Sequence, residues 1–148
     1  MSKDYDPTMH TAEHVLNQTM IRMFGTGRCF SSHLNPKKSK CDYRFDRDLT
    51  NDEAAALQET VNAVLARHLP VTERFLPRSE AENLVDLGKL PASVGPDAPI
   101  RLVSVGEYDI CPCIGAHAVN TEDVGAFRLV SHDFTPDTGV LRLRYVLE

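Results

Sequence analysis

The sequence has no surplus of positive charge. Its 16 lysines and arginines are outnumbered by 21 aspartates and glutamates, for a net charge of −5. That balance counts against a general nucleic-acid binder and leaves any such contact to a local patch. Long hydrophobic runs are missing too, which excludes a bilayer-spanning helix and a membrane partner. The first ten residues, MSKDYDPTMH, are polar and hold no signal-peptide core. There is no internal repeat and no low-complexity tract. What is present is the composition of a globular protein, 42% hydrophobic and 25% charged over 148 residues. That length predicts a single domain, 1–148, around one core. A cytoplasmic setting is expected, in which the four cysteines are reduced, metal-bound or reactive rather than paired in disulfides.

Local signals divide the chain into helices and strands. Asp6 and Pro7 read as N-cap and first helical residue. Met9, Ala12, Leu16, Met20 and Met23 recur at helical spacing, and Gly25 is a natural stop. Strands are expected around 28–34 and 40–46, with NPKKS as the hairpin turn between them. Thr50 and Glu53 form a capping-box pattern for a second helix, whose apolar face is Leu57, Val61, Val64 and Leu65. VTERFL reads as a short strand, and Ser79 with Glu82 predicts a short third helix ending at Gly88. A Pro-rich loop then covers 89–99. IRLVSV at 100–105 is a strand, YDICPCIGAH at 108–117 a loop, and GAFRLVSHDF and VLRLRYVL are strands joined by the turn TPDTG. Hairpin-linked strands with about three helices make an α+β fold with a mainly antiparallel sheet.

Two short patterns carry chemistry. HTAEH places His10 and His14 four residues apart near the start of the first helix, on one face. In the late loop, Cys113 and His117 form C-x-x-x-H. Together they supply three imidazoles and one thiolate, a donor set suited to tetrahedral Zn2+. A zinc site is therefore predicted between the first helix and the late loop. HTAEH also matches the H-x-x-E-H of one class of zinc peptidase, in which Glu13 would be the base. That reading needs a third, acidic ligand, for which Glu80 and Glu82 are available, and it leaves Cys113 and His117 unused.

HTAEH followed about a hundred residues later by CPCIGAHAVNTEDVGAFRLV resembles the editing domain, the second additional domain, shared by alanyl- and threonyl-tRNA synthetases. Thr121 to Gly125 stand where that family has T-x-x-I-G, and CDYRFDRDLT and LPRSEAENL also look like it. Length and element order are similar to the freestanding alanyl-tRNA editing proteins, which act in trans. The resemblance implies that His10, His14, Cys113 and His117 hold zinc. It implies a hydrolase that deacylates mischarged aminoacyl-tRNA, most often seryl- or glycyl-tRNA(Ala), with the tRNA acceptor end as partner. Ser31 stands where a small hydroxyl residue of that family reads the serine hydroxyl. Two positions depart from the pattern: Ala116 where threonine is common, and the additional Cys111.

A non-catalytic zinc module that only binds tRNA or an amino acid stays open as an alternative. Asp109 is placed to orient a ligand histidine. Lys37, Lys38 and Lys40, with Arg142 and Arg144 on one strand face, are the candidate phosphate contacts.

Overall fold

The computed structural model describes residues 6–87 and 97–148. Helix α1, Pro7–Phe24, begins where the Asp6 carboxylate accepts from the backbone of Thr8 and Met9 and stops where Gly25 turns left-handed at φ 69°. Strands β1, Ser31–His33, and β2, Ser39–Arg44, follow. Helix α2, Asn51–Leu65, starts on the reciprocal Thr50–Glu53 capping box. After β3, Val71–Leu76, a single turn α3, Arg78–Ala81, leads to Gly88, which lies outside the described residues along with most of the Pro-rich segment. Strands β4, Ile100–Val105, β5, Asp109–Pro112, β6, Phe127–Thr135, and β7, Val140–Leu147, complete the order.

The strands form two antiparallel sheets, β1-β2-β7-β6 and β3-β4-β5. In the first, Cys41, Tyr43, Leu141, Leu143 and Tyr145 alternate inward and are fully buried against Met9, Ala12, Leu16 and Met20 of α1 and Leu57 and Val61 of α2. The Tyr145 hydroxyl donates to the Met9 carbonyl at 3.0 Å. On its other side α1 meets β5: Gln18 donates to Asp109 at 2.9 Å, and Thr19 and Tyr108 share a 2.7 Å hydroxyl contact. The first half of α1 is therefore buried nearly all round, His10, Glu13, His14 and Asn17 included.

Two expectations are corrected. Ser79 does not cap α3. The helix starts from Pro77, whose carbonyl accepts from Glu80 and Ala81, and it ends at Ala81, so Glu82 closes it rather than capping its start. The loop expected over 108–117 contains a strand, because 109–112 pairs with 102–105 of β4. Pro112 is tolerated there because β5 is an edge strand.

Candidate metal centre and cleft

The i, i+4 spacing of α1 brings His10 and His14 to one face. Alternation along β5 turns Asp109 and Cys111 toward that face, while Ile110 packs in the small core with Ile100 and Leu102. The ladder continues as the Cys113 N–H donates to the Arg101 carbonyl at 3.2 Å. Arg101 in turn donates to the carbonyls of Cys113 and Gly115, at 3.0 and 2.8 Å, and fixes the turn that follows.

His10, His14, Cys113 and His117 thereby come together, with one donor atom from each within 4.8 Å of the others. Sγ of Cys113 lies 3.3 Å from Nε2 of His10 and 3.5 Å from Nε2 of His117. Two of the three remaining ring nitrogens are hydrogen-bonded from behind. Nδ1 of His10 donates to the Ala116 carbonyl at 2.9 Å, a contact that does not depend on the side chain at 116. Nδ1 of His117 is 3.0 Å from Oγ1 of Thr11, which also accepts from the Ala118 N–H at 3.0 Å. Nδ1 of His14 is buried without a hydrogen-bond partner, with Oδ2 of Asp109 at 3.5 Å. Asp109 is itself locked by both guanidinium nitrogens of Arg28, at 2.8 and 3.0 Å.

The electrostatics favour a thiolate. Burial opposes ionisation of Cys113, but hydrogen bonds from His10, His117 and His14 outweigh it and hold the thiol at about 3. Burial also opposes charge on His14, yet Asp109 and Cys113 raise it to about 9. Burial, with the neighbouring imidazoles, lowers His117 to about 4. Burial pushes Cys111 up to about 12, so the two neighbouring thiols differ in kind. One thiolate and three imidazoles, two with their outer nitrogens hydrogen-bonded and the third facing the Asp109 carboxylate at 3.5 Å, make a donor set that fits a tetrahedral divalent metal. Glu80 and Glu82 are exposed and are not members of the cluster, so neither acid named for the peptidase reading stands with the histidines.

The cluster faces a cleft of about 420 Å³ lined by His10, Glu13, His14, Asn17, Cys29 and Cys113, among others. The Cys29 thiol donates to Glu13 at 3.4 Å, and Glu13, Cys29 and Cys41 form a second close group.

Ser31 is not brought to this cleft. It stands opposite Asp42, whose carboxylate takes Arg142 on the outer face of the sheet. The Phe30 N–H donates to the Asp42 carbonyl at 2.9 Å, and Phe30 carries the Arg44 guanidinium over its ring at 3.9 Å. Ser32, opposite the buried Cys41, takes the inner face. The face that each serine takes is set by its partner on β2, which CFSSH alone does not show. Thr11 and Arg28 were not singled out either. Their roles come from partners 107 and 81 residues away.

The two-sheet frame and the converging donor cluster, half of it buried and half partly exposed, define an α+β protein with a candidate metal centre between its first helix and a late loop. Comparison with known proteins places it further. Residues 100–138 match the family model of the threonyl and alanyl tRNA synthetase second additional domain. The chain is 30% identical over 138 residues, 93% of its length, to the alanine–tRNA ligase of Metallosphaera sedula, 31% identical over the same share to that of Aeropyrum pernix, and 27% identical over 92% of its length to that of Methanopyrus kandleri. It spans about 15% of the length of each of these relatives. Residues 100–138 are thus similar to that second additional domain, the family that the paired H-x-x-x-H and C-x-x-x-H motifs resemble, and the wider match is to a part of alanine–tRNA ligases. No described helix is long and apolar enough to cross a membrane.

Proposed function

We propose that this chain is a single editing domain that hydrolyses the ester of a mischarged aminoacyl-tRNA, acting in the cytoplasm on the tRNA acceptor end, with seryl- or glycyl-tRNA(Ala) as the substrate. One observation carries the reading. Four donors separated by about a hundred residues of sequence converge within 4.8 Å at the wall of a cleft, in a chain similar over 93% of its length to part of alanine–tRNA ligases.

His10, His14, Cys113 and His117 would hold Zn2+, which supplies a Lewis acid able to polarise a water or the ester carbonyl. The chain does the rest by positioning, since an aminoacyl ester is already labile. Asp109, anchored by Arg28, fixes the ring of His14. Thr11 ties His117 to α1. Buried walls of α1 and β5 limit the water that reaches the ester. Phosphates of the acceptor arm are proposed to meet the outer face of the four-stranded sheet, where Lys40, Arg44, Arg142 and Arg144 stand beside the exposed turn lysines 37 and 38.

The test is deacylation by the purified chain of seryl-tRNA(Ala), alanyl-tRNA(Ala) and seryl-tRNA(Thr). Release of serine from the first with the second spared is expected. Release from none, with tRNA still bound, would leave a binding module in place of an enzyme.

A further inference from the structure

Rejecting alanine while accepting serine requires a partner for one hydroxyl, and Ser31, paired with Asp42, is not among the residues that line the cleft. The cleft offers a better-defined group. Asn17 lies on the same face of α1 as Glu13 and His14 and lines the cleft beside the cluster. Its amide orientation is fixed by its partners. The backbone N–H of Cys29 donates to Oδ1 at 3.1 Å and the buried hydroxyl of Tyr43 donates to the same atom at 2.7 Å. Because a backbone N–H can only donate, Oδ1 is the oxygen and Nδ2 the NH2 group. Among the described residues Nδ2 has no hydrogen-bond partner, yet it is not one of the sealed, unsatisfied atoms, so it opens on the cleft.

We infer that the Nδ2 of Asn17 donates a hydrogen bond to the side-chain hydroxyl of the misattached amino acid and so sets the preference for seryl over non-hydroxylated aminoacyl-tRNA. The inference rests on the deacylase reading above. The scale is right: three residues of helix rise separate Asn17 from His14, about 4.5 Å, the reach of a short side chain from its own ester carbonyl. The cost to an alanyl substrate is also right in kind, because it would bury Nδ2 against a methyl group. Tyr43 and Cys29 pin the amide, so it cannot turn to suit another ligand.

The experiment compares seryl- and glycyl-tRNA(Ala), which differ by the hydroxymethyl group, on the zinc-loaded wild type and on Asn17→Ala. Loss of one neutral hydrogen bond predicts that kcat/KM for the seryl substrate falls roughly 2- to 13-fold more than for the glycyl substrate. Equal losses on both would overturn the inference and leave Asn17 as a brace for Tyr43 and Cys29; no loss on either would overturn it too. A second measurement needs no variant. In isotope-labelled wild type, the Asn17 side-chain NH2 resonances should shift on adding adenosine that carries serine through a non-hydrolysable 3′ amide, and shift less with the glycyl analogue. Equal or larger shifts with glycine would also overturn it. Should the wild type deacylate neither substrate, the deacylase reading itself fails, an outcome distinct from an unchanged seryl-to-glycyl ratio in an active enzyme.

Discussion

A thiolate and an anchored carboxylate do different work on the same cluster. Cys113 is the charged donor, and a serine hydroxyl in its place is a far poorer metal ligand. Cys113→Ser should therefore lose most of its zinc on gel filtration, as read by metal analysis, and unchanged zinc content would remove Cys113 from the ligand set and bring Cys111 forward. Asp109 touches no metal in this scheme. It fixes the ring of His14 while Arg28 holds it from behind at 2.8 Å. Supporting carboxylates of this kind are typically worth 10- to 100-fold in metal affinity, so Asp109→Asn should weaken zinc binding by about that factor in a chelator competition. A change under about twofold would show that the ring of His14 is positioned by packing alone.

At the scale of elements, the start of α2 gives a pH-dependent prediction. Glu53 is held down to about 2, first by its hydrogen bond from Arg47 and then by the Thr50 N–H. A carboxyl lowered from 4.5 in this way stabilises the fold fully above the unfolded value, and that stabilisation fades as pH falls through 2. Glu53→Gln should lower Tm at pH 7, and the gap from wild type should close between pH 4.5 and 2 in thermal scans. A constant gap across that range would assign the effect to helix propensity. This capping box and the Asp6–Gly25 limits of α1 were legible in the sequence because their partners lie within a few residues. So was the alternation of Leu141 and Leu143 against Arg142 and Arg144, since a buried sheet face imposes it. The start of α3, the strand inside CPCIGAH and the face taken by Ser31 were not legible. The last two are decided by strand partners, Arg101 and Val103 across from Cys113 and Cys111 and Asp42 across from Ser31, while α3 starts from the Pro77 carbonyl with no capping side chain to mark it. The four donors could be named from spacing. Their supports, Thr11, Arg28 and the Ala116 carbonyl, needed the tertiary fold.

Across the whole molecule, charge is unevenly committed. Arg142 and Lys40 share Asp42, and Arg144 is bound to Asp133 at 2.8 Å, so the sheet face is partly neutralised from within. Lys37 and Lys38 are exposed in the turn, and no ion pair to either is present among the described residues. Replacing both by alanine should weaken tRNA binding and flatten the dependence of log K on log salt by roughly 1.5, given about 0.7–0.9 per phosphate contact. An unaltered slope would move the tRNA surface off this turn.

The contact between Cys113 and His10 joins points 103 residues apart. Unlike a disulfide, this contact exists only in the folded chain, so folding itself has to meet the entropy of closing a loop of roughly 100 residues. The same separation dictates timing. Neither half of the cluster can act before α1 has found β5, and contacts of such sequence distance form late in folding. A nascent chain that has emerged only as far as the third helix would hold two of the four donors, His10 and His14, and no centre. Activity would then appear in one step with the last tertiary contacts, so partly folded chains would be silent rather than promiscuous.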